Sequence, residues 1–223
     1  MINRSFKFSF LLVVLFLTGV SVFAQVNDAQ LWVSIAGEKH LNYDLLIVVN
    51  PEIRMGENIG DVSRFSIDAG IEYRINKHFK GGMYYKFLTN RLLDNTYEIR
   101  NRFYLDLSGK VKHGKFVFGF RTRYQNQYQD GGGGMEWSVP KSYLRNKFSV
   151  KYDFPKRWSP SISYELWTNL FDQINDNFRL VVSFDYELNK KSSITAGYGF
   201  SREINLANPL TIYLGLLTLN YKF

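Results

Sequence analysis

A two-residue alternation of apolar and polar side chains constrains the fold of this chain more than any other feature. Between positions 65 and 75, the even-numbered residues are Ser66, Asp68, Gly70, Glu72 and Arg74. The odd-numbered residues between them are apolar or aromatic throughout. Because successive side chains of a strand point to opposite faces, this segment is predicted to be a β-strand with one apolar and one polar face.

The alternation recurs along most of the chain. Eleven strand-like segments lie at about 31–39, 43–54, 63–75, 79–89, 96–112, 115–128, 142–154, 159–169, 176–188, 192–204 and 210–223. Most reach the roughly 9–11 residues that a tilted strand needs to cross a bilayer. Single-chain bacterial barrels normally have an even number of strands. An odd count therefore predicts that 31–39 is not a complete strand or that one strand has been missed or merged, and the expected number is 10–12.

The connections between these segments alternate in length. Short ones are expected at 40–42, 76–78, 113–114, 155–158 and 189–191, and long ones at 55–62, 90–95, 129–141 and 171–175. Short turns on one rim and long loops on the other are typical of bacterial outer-membrane barrels, where the short turns are periplasmic.

The polar face indicates a membrane barrel rather than a soluble one. A soluble barrel would have to enclose its apolar face, which here is built from bulky Phe, Tyr, Leu and Ile. The polar face carries charges of both signs in mid-strand, which could pair across a lumen but would be costly against lipid. The predicted fold is therefore all-β: a single antiparallel transmembrane β-barrel with short periplasmic turns and longer extracellular loops.

Residues 1–24 are predicted to be a secretory signal peptide. Arg4 and Lys7 precede an apolar stretch of about 13 residues, which is short for a membrane span. Cleavage after Ala24 would leave a barrel domain of residues 25–223 destined for the cell outer membrane. The alternative is an uncleaved N-terminal anchor.

The last residues form a second targeting signal. Tyr221 and Phe223 follow Leu217 and Leu219 at alternate positions. This ending looks like the C-terminal recognition signature of outer-membrane barrels. The resemblance implies two partners, the barrel-assembly machinery acting on the last strand and the lipid of the outer membrane.

The mature chain also resembles an uncharacterised family of predicted outer-membrane barrels of Bacteroidota, domain of unknown function 2490. The resembling stretches are Gly37-Glu38-Lys39-His40-Leu41, Tyr143-Leu144-Arg145-Asn146-Lys147 and Tyr164-Glu165-Leu166. The resemblance implies a fold and a location. It supplies no catalytic residues.

Charged side chains on the polar face are the candidate functional residues. The predicted basic stripe of the lumen comprises Arg100, Arg102, Arg121, Arg123, Arg145 and Lys147. The predicted acidic partners are Asp68, Glu72, Glu98, Asp106, Glu165 and Asp185. Two interpretations stay open. Paired charges could plug a narrow barrel, because buried charges are tolerated only when paired. Alternatively, the stripe could select anions, as rings of Arg or Lys do in pores.

Other functions find little support in the sequence. The chain has no cysteine and only three histidines, His40, His78 and His113, all in predicted turns. Gly131–Gly134 lacks the Gly-Lys-Ser/Thr continuation of a phosphate-binding loop. No metal, cofactor, catalytic residue or nucleic acid is expected despite the net charge of +8. The leading hypothesis is a non-enzymatic outer-membrane barrel with a structural or small-solute-passage role. The alternatives are an anion-selective pore and an outer-membrane lipid-modifying enzyme.

Overall fold

The computed structural model describes residues 27–92, 94–129, 140–154 and 157–223. The predicted signal peptide, residues 1–24, and the glycine-rich segment 131–134 lie outside the described residues. Within the described part of the chain, no helix is long and apolar enough to cross a membrane.

Eleven strands form one closed barrel. The strands are β1 (Asn27–His40), β2 (Leu45–Gly56), β3 (Asp61–Arg74), β4 (Phe79–Arg91), β5 (Tyr97–His113), β6 (Phe116–Gln129), β7 (Lys141–Tyr152), β8 (Trp158–Asn169), β9 (Ile174–Glu187), β10 (Ser192–Glu203) and β11 (Thr211–Lys222). Each pairs antiparallel with its neighbour in sequence, and β1 closes the barrel against β11. The predicted all-β barrel is confirmed.

The expectation of an even strand number is wrong, and so is the suggestion that the first segment is incomplete. β1 is a full strand that pairs in parallel with β11, from Asn27 opposite Thr211 to Glu38 opposite Lys222. Antiparallel neighbours alternate in direction, so a closed barrel with an odd count needs one parallel pair. The β1–β11 pair supplies it.

The two rims differ less in loop length than the sequence predicted. The "short-turn rim" is the rim of the turns 41–44, 75–78, 114–115 and 188–191, where β7 ends and β8 begins, and the "long-loop rim" is the rim of 57–60, 170–173 and 204–210, where β4 and β6 end and β5 and β7 begin. The connections at 57–60 and 170–173 are as short as the turn at 41–44. The reason at 57–60 is local: Glu57, Asn58 and Ile59 all adopt positive φ, so β2 and β3 continue into a tight turn.

The two faces of the wall have opposite character. Outward-facing Ile71, Phe103, Leu105 and Phe148 are exposed on the outer surface, whereas buried polar and charged side chains, such as Gln125, face the lumen. An exposed apolar belt of this size is unfavourable in water, at about 25 cal/mol per Å². The predicted inverted arrangement, apolar outside and polar inside, is confirmed.

Candidate functional site in the barrel lumen

Strand register brings together four of the six residues of the predicted basic stripe. On β6 and β7, Arg121 lies opposite Lys147 and Arg123 lies opposite Arg145. On β5, Arg100 and Arg102 lie opposite Gln129 and Gln127, towards the long-loop rim. The stripe is therefore divided into a block of four cations and a separate pair. The positions of these six residues in the sequence do not show how β5, β6 and β7 are aligned with one another.

Arg123 is held by both a carboxylate and an aromatic ring. Its guanidinium donates two hydrogen bonds to Asp106, each of 2.7 Å, and lies 3.7 Å from the ring centroid of Tyr104. Tyr104 stacks on Tyr84 with 4.6 Å between centroids. A bidentate pair of this kind fixes the guanidinium in direction as well as position.

Glu165 is the centre of an ion-pair group that contains three arginines. Its carboxylate accepts two hydrogen bonds from Arg145, of 2.9 and 3.0 Å, and one of 2.7 Å from Arg121. Arg179 lies 3.8 Å away. Glu165 on β8 thus ties together side chains of β6, β7 and β9, and it is only 4% exposed.

The other predicted acidic residues also have cationic partners. Asp68 lies 3.2 Å from Lys86, and Glu98 lies 2.6 Å from Arg100. The remaining pairs are Glu72 with Lys80 and Asp185 with Lys151 at 2.8 Å.

Two members of the basic stripe have no such partner. Arg102 donates hydrogen bonds to the side-chain oxygen of Gln127 instead, at 2.5 and 3.2 Å. Within the described part of the chain, no carboxylate lies within 4.0 Å of the amine of Lys147.

Two indole rings extend the Glu165 group across the lumen. Trp32 on β1 lies between Arg54, 3.5 Å from its ring centroid, and Arg179, 4.7 Å from it. Trp167 lies 4.1 Å from Arg145 and 5.3 Å from Arg179. Desolvated cation–π contacts contribute about 2 kcal/mol each. We call the set joined in this way the "central cluster"; it consists of Trp32, Arg54, Arg145, Glu165, Trp167 and Arg179.

Sequence reasoning missed Trp32 and Arg54. Arg54 also pairs with Glu52 at 2.8 Å, and Glu52 lies 3.5 Å from Lys86. The signal was present, because Glu52 and Arg54 alternate with Pro51 and Ile53. β2 continues through Pro51 to Gly56, so both charges lie within a single strand.

At the level of the central cluster, little of the lumen surface is accessible to water. Trp32, Lys86 and Arg145 are each 6% exposed, Arg102 is 8% and Gln125 is 1%. These five residues come from β1, β4, β5, β6 and β7. Side chains from much of the wall therefore fill the cross-section at this level.

Between the central cluster and the short-turn rim, the described residues line several cavities of the lumen. One of about 440 Å³ is lined by Trp32, Lys147 and Arg179 among others. A second of about 340 Å³ lies beside Tyr104 and Arg123. A third of about 550 Å³ is at the rim itself and shares lining residues with both.

The predicted assembly signal lies at the seam between β1 and β11. The backbone N–H of Phe223 donates to the carbonyl oxygen of Glu38 at 2.9 Å. A Cβ atom at Gly37 would lie 3.2 Å from the Phe223 ring, so the ring packs where β1 has no side chain. Tyr221 packs edge-on against Phe223 with 4.8 Å between centroids.

All three histidines are at the short-turn rim. His40 and His113 end β1 and β5, and His78 lies in the 75–78 turn. The ring of His78 lies 3.2 Å from the backbone oxygen of Lys110. Within the described ranges, no group of three or more His, Cys, Asp or Glu side chains could hold a metal ion.

Solved structures similar to this chain include several barrels. An anion-selective porin from Comamonas acidovorans is 10% identical with a TM-score of 0.38, over 78% of this chain and 55% of that one. The translocator domain of autotransporter NalP from Neisseria meningitidis is 13% identical with a TM-score of 0.41, over 76% and 71%. The outer-membrane expressed OmpT of Vibrio cholerae is 9% identical with a TM-score of 0.35, over 71% and 54%.

This chain spans about half the length of the Comamonas and Vibrio proteins. The comparison with curated proteins finds no match. The family model described as protein of unknown function (DUF2490) matches residues 29–208, and the chain therefore belongs to that family.

Proposed function

We propose that this protein is a non-enzymatic barrel of the cell outer membrane with a structural role, and that its lumen is closed at mid-height by the central cluster. The burial of Trp32, Arg102, Gln125 and Arg145 carries this proposal. Charged side chains that line an open channel keep contact with water, whereas Arg102 and Arg145 are nearly inaccessible and hydrogen-bonded to other lumen side chains. A barrel of this kind does not conduct ions steadily.

The apolar outer surface supports the membrane location. Exposed Phe, Leu, Ile and Val side chains encircle the wall, and lipid is the solvent in which such a surface is stable. In the orientation we propose, the short-turn rim is periplasmic. The C-terminal strand, ending in Tyr221 and Phe223, would be the part that the barrel-assembly machinery recognises.

The histidines support a non-enzymatic role. Nucleophilic catalysis needs a base within hydrogen-bond reach of its nucleophile. Among the hydrogen bonds of the described residues, His78 is the one histidine with a ring contact, and its partner is a backbone oxygen.

The proposal predicts electrical silence in planar lipid bilayers. The purified wild-type barrel should give no steady conductance. The double variant Arg145→Ala/Glu165→Ala should give conductance steps, because it removes a buried cation and anion together and leaves space at the narrowest level.

The matched control for this experiment is Lys112→Ala/Asp153→Ala. It removes an ion pair at the short-turn rim whose side chains are 60% and 44% exposed, and it should stay silent. Steady conductance of the wild-type barrel would contradict the proposal. A silent Arg145→Ala/Glu165→Ala variant would show that other side chains close the lumen.

A second candidate function is the passage of anions, which the cations without a carboxylate partner favour. Arg102 and Lys147 are of this kind. In the opened variant, the reversal potential in a salt gradient should then show preference for chloride over potassium. Adding Arg121→Glu should weaken this preference, since it replaces a lumen cation by an anion.

A further inference from the structure

The cavity of about 440 Å³ below the central cluster has an unusual lining. Lysine and arginine side chains share it with serine and threonine hydroxyls from neighbouring strands. We call it the "serine pocket"; the lining residues used below are Lys110, Lys147, Ser149, Ser163, Asp185 and Arg179. Its volume lies within the roughly 300–1,000 Å³ range of small-molecule sites.

The pocket has an excess of positive charge. Its lining includes Lys110, Lys147, Lys151 and Arg179, but only two carboxylates, Glu165 and Asp185. Glu165 is already bound by Arg145 and Arg121. Asp185 is bound by Lys151 at 2.8 Å and accepts a hydrogen bond of 2.6 Å from Thr195.

Two of these cations are left without a partner. In the described ranges, the amines of Lys110 and Lys147 have no carboxylate within 4.0 Å and form no side-chain hydrogen bond. Arg179 Nε is buried and also lacks a hydrogen-bond partner in that part of the chain. A buried donor such as Arg179 Nε is costly unless it is satisfied, whereas Lys147 is half-buried and Lys110 is exposed.

Among the described residues, two of the pocket hydroxyls, those of Ser149 and Ser163, form no side-chain hydrogen bond. Ser149 on β7 lies opposite Ser163 on β8 and opposite Gly119 on β6. A Cβ at Gly119 would lie 2.5 Å from the Ser149 hydroxyl oxygen, so the glycine leaves that hydroxyl uncovered. Ser161 and Ser183, by contrast, bond to each other at 2.8 Å.

We infer that the serine pocket binds a small phosphorylated solute of the size of a sugar phosphate. A phosphate monoester carries close to two negative charges and three strong acceptor oxygens, which match two free ammonium groups and nearby hydroxyls. A phosphate group alone would fill only part of a cavity of about 440 Å³. The hydroxyls of Ser149 and Ser163 are suited to the hydroxyl groups of a sugar.

The pocket can be reached from the short-turn rim. It shares Lys110, Asp185 and Thr195 with the rim cavity of about 550 Å³. A solute would therefore enter from that rim and stop below the central cluster. This inference goes beyond the proposed function. Its test measures binding directly and does not depend on whether the barrel conducts ions.

The test is isothermal titration calorimetry on the folded barrel in an uncharged detergent at low salt. The probes are glucose 6-phosphate, inorganic phosphate and glucose. Glucose 6-phosphate should bind, inorganic phosphate should bind more weakly, and glucose should not bind. Raising the salt concentration should weaken the binding of both anions, because salt screens the lysine charges.

The variant Lys110→Met/Lys147→Met should bind glucose 6-phosphate at least about tenfold more weakly, since hydrogen bonds to charged groups are the strong ones. The matched control is Lys190→Met, which changes an exposed lysine of the 188–191 turn and should bind as the wild type does. Absence of binding by folded wild-type protein, equal binding by the double variant, or equal binding of glucose and glucose 6-phosphate would each overturn the inference.

Discussion

A glycine on the neighbouring strand decides where the ring of Tyr84 lies. Gly70 on β3 is directly opposite Tyr84 on β4. A Cβ at Gly70 would lie 2.1 Å from the Tyr84 ring and 2.8 Å from the backbone oxygen of Met83. The ring can cover β3 only because no side chain is there. From this position Tyr84 donates to Glu72 and stacks on Tyr104, which packs under Arg123.

The variant Gly70→Ala should therefore lower the free energy of unfolding by about 1–3 kcal/mol, the usual cost of overpacking. Gly81→Ala is the control, because the nearest atom to a Cβ there is 3.7 Å away. Urea unfolding in lipid vesicles, followed by tryptophan fluorescence, would measure both. Equal stability of the two variants would contradict this account of Gly70.

At the scale of elements, the β1–β11 seam is the least local part of the fold. The hydroxyls of Ser34 and Thr218 bond across it at 2.9 Å although they are 184 positions apart. The seam is also a parallel pair, a type that is slightly less stable per residue than an antiparallel one. Packing of Phe223 against Gly37 adds an apolar contact at its short-turn end.

Replacing this ring should weaken closure of the barrel. We expect Phe223→Ala to reduce the fraction of protein that folds into vesicles, measured as the band that shifts on a gel after boiling. Phe171→Ala is the control, because Phe171 is 86% exposed in the 170–173 loop, far from the seam along the sheet order. A wild-type folded fraction for Phe223→Ala would rule out a role of the ring in closure.

At the scale of the whole molecule, the odd strand number fixes the direction of the first strand. Because β1 runs parallel to β11, β1 starts at the long-loop rim and β11 ends at the short-turn rim. In a barrel with an even number of strands, the start of the first strand and the end of the last strand would lie at the same rim.

Epitope tags test this arrangement directly. A tag placed immediately before Asn27 should have the same antibody accessibility on intact cells as a tag in the 204–210 loop. A tag in the 188–191 turn should show the opposite accessibility, with permeabilised cells as the control for expression. If the tag before Asn27 instead behaves like the tag in the turn, the parallel closure is wrong.

The sequence by itself determined the local properties of this protein. Alternation with a period of two assigns each residue to the outer or the inner face, because successive side chains of a strand point to opposite faces. It therefore identified the eleven segments, the apolar exterior and most of the lumen charges, including Glu165 and Arg145. It also predicted the histidines at one rim, although His40 and His113 are the last residues of β1 and β5 rather than turn residues.

Only the tertiary structure decided the register and the closure. Which charges meet depends on how far each strand is shifted against the next, and shifts of two residues leave the alternation unchanged. The sequence therefore could not predict that Arg102 lies apart from Arg123 in the lumen. Nor could it predict that Trp32 lies between Arg54 and Arg179. The parallel pairing of β1 with β11 depends on contacts between the two ends of the barrel, which no local pattern records.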